Sequence, residues 1–500
     1  MIAALAEREA YRDWYHANKE PIPDDRLLWQ AQAFRHLVHL LPGESLLEVG
    51  GGAGHFTTPL VQVSRGRNPI TTATFDENGA EPDDGSPVEH VRLDAFPGPL
   101  AERHFTYVVV HNIVEWHWAP RLLAGLYDLL EDGGELVMFE PNPRNPVLAL
   151  RKGLGRLFGR PLNQAPLGRV AMFELMSEIG FIRISALHTD FVYGFLARHF
   201  AWLFRNLSVV LESMPGVRTL AGQLIVHAQR PPRRASQQAV SLTTHEVLMG
   251  AVSVVVPCHN EAMNVGPLVD ALRNHYGDYI HQIILVDDNS SDDTRAVIEG
   301  LASEDPRIEP VIRTPPNGVG LALREGYGRA TGSWVLSMDC DFQHLMPELE
   351  DLFDAAADGA DAVFGSRFSR HSLMVRYPFA KIVANRAYHL LLNLLFRCRW
   401  RDVSNNLKLV RTDLVRRLRL TEPWFAFNAE VGLQLVLMDC TVKEVPISWI
   451  DRSFDMGRSS FAVVGSAGGY ARVLGRYVVE TGLGFRPLNR PPPPSDTPQT

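Results

Sequence analysis

Short runs of apolar, largely β-branched residues recur along both halves of the chain. Each ends in a glycine turn or in acidic residues and is followed by an amphipathic stretch. Examples are SLLEVGGGAGHFTTPL at 45–60, AVSVVVPCHNEAMNVGPLVDAL at 251–272 and HQIILVDDNSSDDT at 281–294. A strand that is apolar on both faces must be buried on both, and the amphipathic segments supply the helices that cover it. The pattern predicts α/β domains of doubly wound, Rossmann-like type around parallel sheets. The chain has 500 residues, too many for one core. The alternation breaks at 229–249, QRPPRRASQQAVSLTTHEVLM, which holds prolines, paired arginines and a Ser/Gln/Thr-rich tract. The expected organisation is a domain over 1–230, a linker over 231–249, a second domain over 250–485 and a proline-rich, disordered tail over 486–500.

Composition excludes several classes. With 46% hydrophobic and 21% charged residues the chain reads as an ordinary soluble protein. Its net charge of −8, without a long run of one sign, argues against a nucleic-acid partner. The cysteines, Cys258, Cys340, Cys398 and Cys440, form no CxxC pair and read as free thiols of a reducing compartment. The first residues lack the basic and apolar regions of a signal peptide, and no stretch of about 18 residues is apolar enough to span a bilayer. The expected location is the cytoplasm, with membrane association peripheral at most.

In the first half, the run 45–60 reads as strand, glycine turn and helix. Glu48 closes the strand, and Gly50, Gly52 and Gly54 follow at G-x-G-x-G spacing. Such a turn needs glycine where the backbone takes unusual angles and passes close to a ligand. A dinucleotide fold would want G-x-G-x-x-G, and that last position is His55. The turn resembles motif I of class I S-adenosylmethionine-dependent methyltransferases. TTATFDENG at 71–79, VRLDAFP at 91–97, FTYVVVHNIVEWHW at 105–118, LYDLLEDGGELVMFEPNP at 126–143, FELMSEIGF at 173–181 and GQLIVHAQR at 222–230 follow in that family's order. The resemblance implies S-adenosylmethionine as cofactor, with Asp76 at the ribose hydroxyls and Asp94 at the adenine. His111, Glu115 and His117 fall in the loop that would face an acceptor. The alternative is a degenerate, non-catalytic scaffold of the same fold.

In the second half, the strand at 251–258 ends near Pro257 and is followed by His-Asn-Glu261. The strand at 281–288 ends in Asp287-Asp288. NGVGLALREGYGRATGSWVLSMDCDFQH at 317–344 runs into Asp339-Cys340-Asp341. Positions i and i+2 of a strand share a face, so Asp339 and Asp341 converge. Like charges that close are costly unless a cation lies between them, and a hard divalent ion prefers such oxygen ligands and bridges to diphosphate.

These pieces resemble family 2 glycosyltransferases of the GT-A fold, closest to the dolichyl-phosphate mannose synthase-like branch, over about 251–465. The resemblance implies a UDP- or GDP-sugar donor held at its nucleoside by Pro257, Glu261, Asp287 and Asp288. Asp339, Asp341 and Gln343 would hold Mg²⁺ or Mn²⁺. AVFGSRF at 362–368 puts Arg367 near the phosphates, and VKEVPISWIDRSFDMGRSSF at 442–461 supplies Arg452. The family's usual lysine in that segment is Ser460 here, and its Ser-Gly is Ser404-Asn405. Leaving-group charge would be neutralised by the metal and these arginines. A lipid-phosphate acceptor needs no base. A glycan hydroxyl does, and Glu430 in FNAEVGLQL is the candidate. Inversion at the anomeric carbon is implied.

One segment bears on the acceptor. In AKIVANRAYHLLLNLLFRC at 380–398, Lys381, Asn385, His389, Asn393 and Arg397 recur every four residues opposite Val383, Ala387, Leu390, Leu391, Leu394 and Leu395. Two readings stand: a domain helix packed on its core, or an interfacial helix making peripheral membrane contact beside a lipid-linked acceptor.

Overall fold

The computed structural model describes residues 1–18, 23–75, 88–158, 165–192, 201–214, 216–231, 240–340, 346–369, 371–375, 377–450 and 463–481. Asp76, Asp341, Gln343 and Arg452 lie outside them, as do residues 232–239 of the expected linker and the tail at 486–500. The chain divides into two compact units, Met1–Gln238 and Ala239–Thr500, and the division falls inside 231–249. Both are α/β, each with a seven-stranded mixed sheet.

Unit 1 runs α1 (Ile2–Asn18), α2 (Pro23–Val38), β1 (Leu46–Val49), α3 (Thr57–Ser64), β2 (Ile70–Thr74), β3 (Val88–Arg92), β4 (Phe105–His111), α4 (Ala119–Asp128), β5 (Leu130–Pro141), α5 (Pro146–Leu157), α6 (Arg169–Ile179), β6 (Ile182–Thr189), α7 (Ala201–Ser213) and β7 (Gln223–Gln229). Its strand order is β3-β2-β1-β4-β5-β7-β6, parallel except for β7, which runs against both neighbours. Strands β1 and β4 are buried at nearly every position, as their apolar runs require.

Unit 2 runs β8 (Val252–Cys258), α8 (Ala262–Tyr276), β9 (Ile280–Asp287), α9 (Thr294–Glu304), β10 (Ile308–Ile312), α10 (Val319–Arg329), β11 (Trp334–Ser337), α11 (Met346–Ala357), β12 (Ala362–Ser366), β13 (Met374–Val375), α12 (Phe379–Phe396), β14 (Lys408–Arg411), α13 (Thr412–Val415), α14 (Ala426–Leu437), β15 (Val442–Pro446), β16 (Trp449–Ile450) and α15 (Val463–Thr481). The sheet order is β10-β9-β8-β11-β14-β12-β15, with β14 antiparallel between β11 and β12. Gly326 lets α10 close onto the sheet, because a Cβ there would come within 2.4 Å of Val255 Cγ1. In both sheets the direction of chain progress reverses at a central pair, β1/β4 and β8/β11. The carboxyl ends of such strands open a crevice where ligands bind.

Candidate active site

At the carboxyl ends of β8 and β11 the turns converge. Residues Trp334–Ser337 pair in parallel register with Val252–Val255, so the chain after each strand leaves side by side. Asn260 takes a left-handed φ of 58°, turning the chain into α8. Its amide donates to Ser290 Oγ at 2.9 Å, and the Glu261 amide donates to Thr294 Oγ1 at 2.8 Å. These bonds tie the β8 turn to the β9 turn, where the Asp288 amide donates to the Cys258 carbonyl at 2.8 Å. Asp288 pairs with Arg313 and accepts the Gly318 amide at 2.7 Å.

A cavity of about 530 Å³ opens on this floor. Pro257, Glu261, Asp288, Asp339 and Arg367 all line it, although they come from four separate stretches of sequence. Asp339 Oδ1 accepts from Asn406 Nδ2 at 2.8 Å. Asn406 is 4% exposed, and its own Oδ1 has no hydrogen-bond partner among the described residues.

Two sequence expectations need correction. Asp287 does not line the cavity: it is buried and accepts the Ser290 amide at 3.2 Å, a cap on the turn. Glu430 is fully buried in α14 and is also away from the cavity. Its carboxylate accepts the amides of Thr421 and Glu422, the Thr421 hydroxyl and the Arg476 guanidinium, all within 3.0 Å. A base needs free access to a substrate proton, and Glu430 has none.

Arg367 leaves β12 and meets Asp402, with Nε to Oδ2 at 2.7 Å and Nη2 to Oδ1 at 3.0 Å, while Nη1 donates to the Tyr377 hydroxyl at 3.1 Å. Burial opposes ionisation of Asp402, but the Arg367 charge outweighs it and holds the carboxyl well below the usual range. Asp402 carries no signal in the sequence beyond lying just before the matched Ser404-Asn405. Lys408, fully buried on β14, is pushed down to about 7 by burial, and its Nζ contacts the Asn405 carbonyl.

Helix α12 forms one wall, with Lys381, Asn385 and Tyr388 on the cavity. Its polar side faces the cavity, while Ile382, Leu392 and Phe396 are buried beneath it. His389 is buried: Nδ1 donates to the Asn385 carbonyl at 2.8 Å and Nε2 accepts the Val403 amide at 3.0 Å. Burial pushes its pKa down to about 4, in keeping with a neutral ring fixed at both nitrogens. The apolar residues Val383, Leu390 and Leu394 are left outside, exposed by 46%, 73% and 73%, while Leu391 lines the cavity. Among the described residues, no helix is long and apolar enough to cross a membrane.

In unit 1 the glycine turn forms as expected: Gly50, Gly52 and Gly54 have φ of 82°, 54° and 78°. Glu48 is buried beneath it, accepting from Thr57 Oγ1 at 2.6 Å and Thr72 Oγ1 at 3.0 Å, and burial raises its pKa. Asp94 sits at the end of β3, exposed and paired with Arg92. His111 is buried and stacks on Phe56, and burial keeps it neutral.

The turn's donors are already taken by α1, a connection the sequence reading missed. The Gly52 amide donates to Glu9 at 2.7 Å and the Ala53 amide to Asp13 at 2.8 Å. Glu9 also accepts the Phe75 amide at 2.8 Å and the Thr74 hydroxyl at 3.0 Å, at the end of β2. Arg12 donates to the Gly50 and His111 carbonyls. A Cβ on Gly52 would come within 2.1 Å of Asp13 Oδ2. With α1 seated this way, the residues present do not fit S-adenosylmethionine over the turn.

Residues 253–419 match the model of glycosyl transferase family 2. That match lies wholly within unit 2. A polyprenol monophosphomannose synthase of Mycolicibacterium smegmatis is 28% identical over 214 residues, which are 41% of this chain and 80% of that protein. A glucosyl-3-phosphoglycerate synthase from Mycobacterium tuberculosis, solved with Mn²⁺, UDP and glucosyl-3-phosphoglycerate, aligns at 18% identity and a TM-score of 0.35, covering 47% of this chain and 80% of that one. A SAM-dependent methyltransferase from Thermotoga maritima aligns at 16% identity and a TM-score of 0.33, covering 45% of this chain and 99% of that one.

Proposed function

We propose that the glycosyltransferase domain transfers a sugar from a nucleoside diphosphate sugar to a polyprenyl phosphate, with inversion. The observation that carries this reading is the cavity itself. Its floor presents Glu261, Asp288 and Asp339 at strand ends, and its far wall is α12, whose outer side is an exposed apolar stripe. A water-soluble donor enters on the polar side, and a lipid-borne acceptor lies against the apolar stripe in peripheral membrane contact. The relative named as a polyprenol monophosphomannose synthase supports the acceptor class and mannose as the first sugar to try.

Asp339, with Asp341 and Gln343 beside it in sequence, would hold Mg²⁺ or Mn²⁺; the all-oxygen donor set suits a hard ion. Such an ion, when bound, offsets charge on the leaving diphosphate. The chain's own residues do the rest. Asn406 fixes the rotamer of Asp339. Asp288, held by Arg313 and the Gly318 amide, closes the nucleoside end. Arg367, locked by Asp402 and Tyr377, presents positive charge to the cavity, and Arg452 is assigned to the same cationic clamp. An acceptor phosphate oxygen is already anionic, so no base is required. The burial of Glu430 favours this acceptor over a glycan hydroxyl.

For unit 1 the carboxylates of α1 on the glycine turn favour the scaffold reading over methyl transfer from S-adenosylmethionine. Calorimetry on the full chain decides: heat at millimolar S-adenosylmethionine would restore the methyltransferase reading.

The transfer is tested by incubating the full chain with labelled GDP- and UDP-sugars, Mn²⁺ and a polyprenyl phosphate. Label extracted into organic solvent with release of nucleoside diphosphate is expected. Label confined to an aqueous glycan, or release of pyrophosphate, would overturn the assignment.

A further inference from the structure

Unit 1 carries an exposed face whose chemistry the glycosyl-transfer reading does not use. Helix α5 leaves β5, and Leu150, Leu154, Leu157 and Phe158, at the helix and its end, are exposed by 62%, 44%, 76% and 73%. Their spacing, i, i+4, i+7 and i+8, places them on one side. Arg151 is exposed beside them and reaches α1, with its guanidinium 5.0 Å from the centre of the Tyr15 ring and 3.3 Å from the Tyr11 hydroxyl. Tyr11, Trp14 and Tyr15 share one side of α1, and Trp14 is 49% exposed. The other side of α1 holds Glu9, Arg12 and Asp13 against the glycine turn, so the aromatic side is fixed outward.

Charge decides what this face meets. On α5 the cations Arg151 and Lys152 lie at the stripe, against the exposed Glu7 on the aromatic side of α1, and from Pro141 to Phe173 the chain has no Asp or Glu, although its net charge is −8. An aliphatic stripe flanked by cations and aromatic rings matches the headgroup region of an anionic bilayer, where chains enter the acyl boundary and Lys and Arg meet lipid phosphates. A protein partner would require a surface of matched shape. A bilayer asks only for apolar area and positive charge, which this face combines.

We infer that the α1/α5 face of unit 1 docks on an anionic lipid surface, independently of the α12 stripe of unit 2. The test is co-sedimentation of the full chain with vesicles of phosphatidylcholine alone or with about 30% phosphatidylserine. The wild type is expected to prefer the anionic vesicles and to lose that preference as salt rises. Arg151→Gln with Lys152→Gln is expected to weaken binding by about five-fold per cation removed. Leu154→Glu with Leu157→Glu, both at exposed positions, is expected to weaken it at least about tenfold. Leu390→Glu with Leu394→Glu on α12 is expected to leave the preference for phosphatidylserine in place, which separates this face from the acceptor site. Equal binding to both vesicle types, or wild-type binding by both α5 variants, would overturn the inference. So would a dimer in solution that the α5 variants dissolve while vesicle binding stays unchanged.

Discussion

Asn406 Nδ2 donates to Asp339 Oδ1 across 2.8 Å, joining the end of β11 to the loop that precedes β14. The two residues are 67 positions apart, and the antiparallel return of β14 beside β11 brings them together. A charge-assisted bond of this kind contributes about 1.5–3 kcal/mol. Its consequence is a fixed Asp339 rotamer. Asn406→Ala is expected to raise KM for the donor about tenfold with a smaller change in kcat, measured by initial rates at saturating acceptor.

Asp402 and Arg367 form a buried pair, and removing one partner leaves the other charge uncompensated. Asp402→Asn is expected to destabilise unit 2 by about 3–5 kcal/mol, read from urea unfolding. The pair also predicts an acid response. The Asp402 carboxyl lies below its unfolded value, so its contribution is complete above that value and fades as pH falls towards the folded one.

His389 predicts the same direction of proton linkage over a higher pH range. Its folded pKa of about 4 lies under the ordinary 6.5, so between these values the unfolded chain binds the extra proton. Stability is expected to fall as pH drops from about 6.5 to 4, by up to about 3 kcal/mol, and His389→Gln is expected to flatten that slope. Urea midpoints at several pH values measure it.

Glu430 holds structure rather than a substrate proton. Glu430→Gln is expected to cost about 1–3 kcal/mol, because its amide cannot pair with Arg476, while kcat stays within about threefold of wild type at a temperature where both are folded. A loss of kcat of about a hundredfold or more with normal stability would return the base role to Glu430.

The apolar stripe on α12 predicts a split between acceptors. Leu390→Glu with Leu394→Glu is expected to raise KM for a long polyprenyl phosphate in vesicles about tenfold, and to leave a short, water-soluble polyprenyl phosphate nearly unaffected. Rates with the two acceptors give the comparison.

Much of this architecture was legible because strand ends announce themselves. The apolar runs before Asp288 and Asp339 and the turn at Gly50, Gly52 and Gly54 are local patterns, and local patterns survive in sequence. Asn406 and Tyr388 were not legible, because they reach the cavity through the return of β14 and the packing of α12, and Asp402 was not, because it meets Arg367 only in the fold. Asp287 was grouped with Asp288 by adjacency, yet neighbouring positions at a strand end point to opposite sides. Glu430 looked available because an acid among apolar residues attracts notice, while its four donors come from segments that sequence does not bring together. The α12 periodicity was readable but not its sense, since an inward polar side follows only from a polar cavity beneath it. Likewise the first residues announce no contact with the glycine turn, and only the packing of α1 shows Glu9 and Asp13 on it.

The central claim is that Asp339 and Asp341 together hold the cation on which the donor's diphosphate rests. The direct measurement is the rate of nucleoside diphosphate release by Asp339→Ala and Asp341→Ala, with Mn²⁺ at saturation and melting temperature as the folding control. The account predicts a fall of about a thousandfold for each variant with the melting temperature preserved. Release within about threefold of wild type in both folded variants would contradict it.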